Sequence, residues 1–523
     1  MKKSLRLISL ILCLLFGPVA YLIISMKGMT FLNWFIPAAF LLSLLFIGIW
    51  FLIFGKAAFK IRLQRFFTGI GLFILTGIAA SQLLRYEGSS SGSSFPKFSW
   101  KWAPEISTEI EAEKNALPSA ATSAADLLNF LGPDRNGKWD KLHFNPDWKS
   151  HPPELVWRRP IGKAWSSFVV KGNRAITQQQ NGDNEEVICL DISTGDELWS
   201  HADKGVRLLL EKAENGGAAM GGDGPRSTPT ISGDRVFSLG STGIANCLDL
   251  NTGRRLWSHN VIKEHKGEIQ RWGSANAPLV ISEENLVVFA GSDQPGATLI
   301  ACDTGTGTTR WIYRGSGASY SSPRILTLNG VEQIVSVNAK DVTGLTIDDG
   351  KELWKYEWPG SYPKVGQPLK AAENRILVTA SYGVDSHLME ISKNGAEWTA
   401  TGIWKSIRMK TKFSSAVILG EHIYGLDEAR LACIELETGK KAWKGEKFGF
   451  GQHLLFGNQL LIQGEEGFLA TGTISPDGYT ETGRIDALSS MTWNVPAIAG
   501  RLLLVRNDRE AACFLLPEKG SAN

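Results

Sequence analysis

Trp165, Arg226, Trp272, Gln367, Lys412, Gln452, His453, Trp493, Asn494, Arg506, Asp508 and Arg509 are the residues of this chain whose types could do recognition chemistry. Most fall in short segments beginning at Trp165, Gly224, Arg271, Tyr320, Gly366, Lys412, Gly451 and Thr492, each just ahead of an apolar run. Small residues in these segments, mainly Ser, Gly and Pro, suit strands crowded around an axis. The large residues vary from segment to segment, as a ligand site needs and a packing repeat does not. Indole faces stack, amides and imidazoles hydrogen-bond, and cations attract anions. Arg226, Arg271, Lys410, Lys412, Arg506 and Arg509 face mainly Asp223, Asp508 and Glu510. Gathered at one mouth they would favour an anionic small molecule, peptide or polysaccharide. The dense run Arg506–Glu510 reads equally as an internal ion-pair network.

Other chemistries find less support. The six cysteines, Cys13, Cys189, Cys247, Cys302, Cys433 and Cys513, include no C-x-x-C pair, and they read as small core residues. No histidine lies in a zinc spacing, and His201 and His259 recur at equivalent places as surface strand residues. Gly88, Ser90 and Gly92 match G-x-S-x-G, but within the low-complexity run EGSSSGSS rather than on a strand-to-helix elbow. With 55 basic and 52 acidic residues, a net charge of +3 argues against nucleic acid as a partner.

The elements that position these residues repeat. CLDISTGDELW from Cys189, CLDLNTGRRLW from Cys247, ACDTGTGTTRW from Ala301, GLTIDDGKELW from Gly344 and CIELETGKKAW from Cys433 share one frame. An Asp-like residue is followed four later by Gly and four after that by Trp. A strand ends in a turn whose Gly takes positive φ, and the next strand carries a Trp into the gap between neighbouring sheets. The glycines lie 58, 54 and 43 residues apart, and then 89. The double interval hides one degenerate repeat, Gln367–Lys405, ending near Trp404. The segments 451–485 and 492–516 supply two more, the last lacking its outer strand. ELVWRR at Glu154–Arg159 resembles the Trp-bearing strands elsewhere, so it is expected to close the last repeat. The count is eight.

The D-x-x-x-G-x-x-x-W turn resembles the tryptophan-docking motif of pyrroloquinoline-quinone (PQQ) dehydrogenases and their propeller relatives. The resemblance covers about 154–516, and FLGPDRNG at Phe130–Gly137 resembles the leader preceding many such propellers. It implies a PQQ-binding-like β-propeller repeat protein. The outer-membrane-assembly propeller lipoprotein shares that fold, but it carries a lipid-modified Cys where this chain has an apolar N-terminal region, and on that ground the chain is set apart from it. In the dehydrogenases the quinone lies between a Trp and a disulfide of adjacent cysteines, beside calcium held by Glu and Asn and a catalytic Asp. This chain has no adjacent Cys pair, and no such acidic set matches residue by residue. The expected function is therefore a binding or scaffold module for an anionic ligand or partner. A PQQ- and calcium-dependent dehydrogenase of alcohols or sugars is the alternative.

Ahead of the repeats, Leu5–Met26, Phe31–Phe54 and Phe66–Leu84 are each about long enough to cross a bilayer. Lys2, Lys3 and Arg6 precede the first, and Lys56, Lys60, Arg62 and Arg65 precede the third. The positive-inside rule puts the N-terminus and the loop before the third span in the cytoplasm, and everything after Arg85 across the membrane. The full expectation is an all-β, eight-bladed β-propeller of four-stranded antiparallel blades preceded by three transmembrane α-helices. Residues 1–86 would be the membrane anchor, 87–125 a flexible linker with one short helix near Ser107–Asn115, and 126–523 the propeller. The setting would be a bacterial inner membrane, multi-pass, with the propeller on the periplasmic side.

Overall fold

The computed structural model of the chain describes residues 2–27, 35–89, 96–102, 110–115, 125–141, 143–208, 222–281, 284–360 and 363–519. They form two compact units, Met1–Glu109 and Ile110–Asn523.

The first unit contains α1 (Lys2–Lys27), α2 (Phe35–Phe54) and α3 (Phe59–Leu83). α1 and α2 approach closely where small residues meet. The Gly17 N–H donates to Ser43 Oγ at 2.8 Å, and a Cβ on Gly17 would stand 2.9 Å from the Phe40 ring. Among the described residues α3 is the one helix long and apolar enough to cross a membrane, so one of the three expected spans is shown. α3 also starts earlier than expected. Ala58 is extended (φ −55°, ψ 145°), nothing after it breaks a helix, and Lys60, Arg62 and Arg65 lie in the first turns rather than in a loop. Beyond α3, Leu84–Ser89 pairs antiparallel with Pro96–Trp100 where a flexible tether was expected. Ser90 and Gly92 lie outside the described residues. So does much of the expected helix at Ser107–Asn115, whose described part holds the two-residue strand Glu113–Lys114.

The second unit is a ring of eight blades of four antiparallel strands, two of which gain a fifth, two-residue strand from ahead of the ring, Glu113–Lys114 on blade 8 and Lys138–Trp139 on blade 7. Blades 1 to 7 follow one another along the chain, with innermost strands Val169–Lys171, Thr230–Ser232, Leu279–Ile281, Arg324–Leu328, Leu369–Ala372, Val417–Leu419 and Gln452–Phe456. Blade 8 takes three strands from the end of the chain, Ala497–Ala499, Leu502–Arg506 and Glu510–Leu515, and its outer strand from Glu154–Pro160. Trp157 pairs with Cys513, and Arg158 with Ala512. The Arg158 guanidinium bonds the buried Glu510 carboxylate across this seam. The closure expected of Glu154–Arg159 is what forms.

The repeated turn holds the blades together. The aspartate carboxylates cap it: Oδ1 of Asp191, Asp249 and Asp303 accepts the N–H groups two and three residues on. The glycine beyond has φ between +64° and +74° in all five copies. Its bare Cα receives the Trp of the preceding blade. A Cβ would stand 2.7 Å from Trp157 at Gly195, 2.4 Å from Trp199 at Gly253, and 2.4 Å from Trp311 at Gly350. Each indole N–H then donates to a carbonyl of that same turn: Trp157 to Ile192 at 2.8 Å, Trp199 to Leu250 at 3.0 Å, Trp404 to Leu436 at 2.9 Å. Opposite the Trp on the adjacent strand stands a small residue, Cys189, Cys247, Cys433 and also Cys513. These cysteines are buried and unbridged.

Two wedges depart from the pattern. Blade 5 lacks the Asp-to-Gly turn, and Trp354 turns its N–H to Gln333 of its own blade at 2.5 Å. Blade 7 has no Trp on its outer strand. Trp148, from the segment ahead of the ring, fills that wedge: it is 2 % exposed, packs among Leu461, Leu469, Leu503 and Phe514, and lies against Gly483, where a Cβ would be 2.4 Å away.

Candidate functional site

The leader ahead of the ring runs across the axis. Leu127 pairs with Val170 of blade 1, and the Leu128 carbonyl accepts from Ile231 of blade 2. Arg135 donates to the carbonyls of Ala277 and Pro278 of blade 3, at 2.9 and 2.8 Å. Arg324 of blade 4 donates to the Asp134 carbonyl at 2.7 Å. Lys138–Trp139 then runs parallel to Leu455–Phe456 of blade 7. So tight a path needs the left-handed backbone of Leu131, Gly132, Arg135 and Gly137. Gly132 has a second reason, because a Cβ there would stand 2.6 Å from the Trp139 ring.

Above this floor the segments preceding the innermost strands enclose a cavity of about 170 Å³. Phe130, Leu131, Asn136 and Gly137 of the leader line it, with Trp165, Arg226, Trp272, Gln367, Gln452, His453 and Trp493 from the ring. Innermost strands run parallel to one another around the axis, so residues at equivalent register reach equivalent height. Trp493 lies 5.0 Å from Trp165 and 4.6 Å from Phe413, ring centroid to centroid, both tilted. Trp272 meets Tyr320 edge-on at 5.9 Å, and the Arg271 guanidinium lies 5.0 Å over Trp272. Tyr320, Tyr382 and Phe413 complete the aromatic wall. Phe413 directly follows Lys412 in its segment, and its plain aromatic side chain did not mark it as a recognition residue. Tyr382 lies in a loop after the second strand of blade 5, where no repeat signal points.

Not every candidate joins them. Lys412 is 2 % exposed and stands one layer behind the wall, its Nζ 4.4 Å from the centroid of Phe450 and 5.0 Å from that of Tyr382. Burial lowers its pKa to about 8. Asn494 donates to the carbonyls of Ala164 and Ser166, lacing blade 8 to blade 1. Arg506, 1 % exposed, does the same through Gly162, Thr177 and Gln178. Gln452 lines the cavity, but its amide donates to the carbonyls of Phe413 and Trp493. Asp508 lies outside the cavity near Ser490, and Arg509 is exposed outside it. Lys410 pairs with Asp427 at 4.0 Å. The expected cluster of cations therefore does not assemble. Arg226 alone of them lines the cavity, its guanidinium donating to the carbonyls of Gly222 and Gly224 at 2.8 Å each.

Two polar groups in the wall have no hydrogen-bond partner among the described residues. They are Oε1 of Gln367 and both ring nitrogens of His453, on side chains 4 % exposed. Burial pushes the His453 imidazole from about 6.5 down to about 4, so it is neutral at pH 7. Unfolding restores its ordinary proton affinity. Its contribution to stability is thus complete above pH 6.5 and lost as pH falls toward 4. The melting temperature should drop across that window, and His453→Gln should shrink the drop. An unchanged pH profile in the variant would show that the imidazole stays solvated.

A family profile described as outer membrane protein assembly factor BamB matches residues 148–311 and 283–445, more than half of the chain. The chain belongs to that family. The earlier separation from the outer-membrane-assembly propeller rested on the N-terminal helices, which precede the matched region. A BamB of Shewanella oneidensis is 21 % identical over 251 residues, 45 % of this chain and 61 % of that protein. The chain thus spans less than two thirds of this curated relative. Among solved structures, BamB of Moraxella catarrhalis superposes with a TM-score of 0.50 at 12 % identity, covering 71 % of this chain and 99 % of that one. Quinohemoprotein alcohol dehydrogenase of Comamonas testosteroni gives 0.55 at 12 % identity, covering 77 % and 82 %. At such identities the likeness is one of fold.

The walls do not fit a calcium-bound quinone. No Asp or Glu lines the cavity among the described residues, and no group of His, Cys, Asp and Glu among them could hold a metal ion. Glu465, which is not among the lining residues, is hydrogen-bonded by Trp493 Nε1 at 2.9 Å and the Phe450 N–H at 3.2 Å.

Proposed function

We propose that the chain is a membrane-held binding platform whose propeller captures a partner at its axial cavity. The observation that carries this reading is the chemistry of the wall, which offers aromatic faces and buried neutral polar groups but no carboxylate among its described residues. The assembly role named for its BamB relatives supports a partner-binding platform over an oxidase. α3 supplies the hold on the membrane. A multi-pass arrangement in the inner membrane, with the propeller on the extracytoplasmic side, extends the reading on the strength of the basic residues flanking the apolar helices. The quinoprotein alternative is supported by fold likeness alone.

Two measurements test the platform. Purified protein given PQQ and calcium should show no quinone absorbance change and no dye reduction with alcohols or sugars, and reduction would overturn the reading. A photo-cross-linking residue at Trp272 on the cavity wall should trap a discrete adduct in cells, whereas one at Leu256, on the outer strand of blade 2, should not. Equal trapping at both positions, or trapping at neither, would also overturn it.

A further inference from the structure

We propose that Trp100 and Trp102 form a docking surface for the lipid head-group layer, beside the end of α3. The inference rests on α3 crossing a bilayer and adds a second contact with the same membrane. Strand register carries it. α3 ends at Leu83, and the next residue, Leu84, pairs with Trp100 across the hairpin that follows. The Lys101 N–H donates to the Leu83 carbonyl at 2.9 Å. The chain that leaves the helix at Leu83 therefore returns to the same point at Trp100.

The span sets the height of that point. Phe66–Leu83, after the basic first turns of α3, contains no charged residue. At about 1.5 Å per residue it covers about 27 Å, close to the roughly 30 Å thickness of bilayer hydrocarbon. Ser81 and Gln82 close the stretch, so the hydrocarbon ends near Leu83 and Trp100 stands where the head groups begin. The side chains suit that layer. Trp100 and Trp102 are 50 % and 65 % exposed, whereas Trp157, Trp199, Trp257, Trp311 and Trp354 are at most 8 % exposed. The two exposed rings stack, with centroids 4.8 Å apart and planes 18° apart, and so present one broad apolar plate. An indole has an apolar body and one N–H, which favours the head-group layer over both water and hydrocarbon. Lys101 between them is exposed, and its ammonium suits lipid phosphates. A protein partner could also cover the plate, but its place at the end of a span selects lipid.

The test uses the full chain in vesicles of phosphatidylcholine and phosphatidylglycerol. A photo-cross-linking residue is placed, one at a time, at Trp100, at Trp102, at Phe73 within α3, or at Leu256 on the outer strand of blade 2, and adducts are identified by mass. Lipid adducts should form at Trp100 and Trp102 on the glycerol or the upper acyl carbons, at Phe73 deeper in the chains, and not at Leu256. Adducts at Phe73 without any at Trp100 or Trp102 would overturn the proposal and leave the span standing. No lipid adduct at Phe73 would overturn the membrane hold and the proposal with it. Protein adducts in place of lipid at Trp100 and Trp102, or lipid adducts of equal yield at Leu256, would overturn the proposal as well. A second measurement removes only the indoles. With lipid brominated high on its acyl chains, Trp emission of the parent chain should be quenched by a larger fraction than that of the double variant Trp100→Ser, Trp102→Ser. Equal fractions would show that the pair stays in water and would overturn the proposal.

Discussion

Trp157→Ala should destabilise the propeller by about 3–5 kcal/mol, the cost of emptying a fully buried Trp site. Trp157 is 1 % exposed, pairs with Cys513, rests on Gly195 and donates its indole N–H to the Ile192 carbonyl at 2.8 Å. Its strand joins the two ends of the propeller sequence, so the cavity opens at the one seam that no continuous run of blades bridges. Denaturant unfolding of the purified chain should show the loss, and amide exchange along Glu510–Leu515 should quicken first. Trp443→Ala is the control. Trp443 makes the same kind of bond, to the Ser475 carbonyl at 3.1 Å, but is only partly buried and lies between consecutive blades, so it should cost less. Equal losses at the two positions would show that the seam has no special weakness.

Gly253→Val should be comparably damaging for a different reason. The glycine sits at φ +69°, where an L-residue carries a penalty of roughly 1–2 kcal/mol. Its Cβ would also stand 2.4 Å from Cε3 of Trp199, and overpacking a tight site adds typically about 1–3 kcal/mol. Gly233→Val separates the two contributions. Gly233 has φ +55° with nothing within 4 Å of the would-be Cβ, so it should show the backbone penalty alone. Similar melting temperatures for the two variants would mean that Trp199 simply moves aside, and that the glycine serves the turn rather than the dock between blades.

The propeller was legible because one local device is written five times. Within nine residues an Asp-like residue caps a turn, a Gly leaves room for the Trp of the preceding blade, and a second Trp departs toward the turn of the next. The doubled spacing between Gly350 and Gly439 exposed blade 5, and the likeness of ELVWRR to the other Trp strands exposed the closure. Register also brought Arg226, Trp272, His453 and Trp493 to one cavity, since equivalent positions on parallel innermost strands share a height. Register does not say where a long side chain delivers its hydrogen bonds, and there the reading stopped. Arg506 and Asn494 stand close to the channel in sequence terms, yet their donors lace carbonyls of the next blade. Lys412 turned behind Phe413 into an aromatic nest. Trp148 could not be found at all, because it stands alone, belongs to no repeat and takes its place through tertiary packing. In the N-terminal region hydropathy located all three helices but marked the start of α3 by its apolar residues, missing the turns that carry Lys60, Arg62 and Arg65.

Trp148 and the strand Glu154–Pro160 together set an order of events during synthesis. Both precede blade 1 in the chain, yet Trp148 packs on, and Glu154–Pro160 completes, sheets whose own strands are made after blades 1 to 6, Gln452–Asp486 and Ala497–Leu515. Blades 1 to 6 can stack as they emerge, each supplying the Trp that seats on the next. Trp157 can seat on blade 1 early, but the strand edge that awaits Glu510–Leu515 stays open, and Trp148 stays without its wedge, until the C-terminal blades leave the ribosome. Circular permutation that starts the chain at blade 1 and appends 143–160 after Leu516 would remove that wait. Such a chain should reach the same fold with a shorter interval of protease sensitivity.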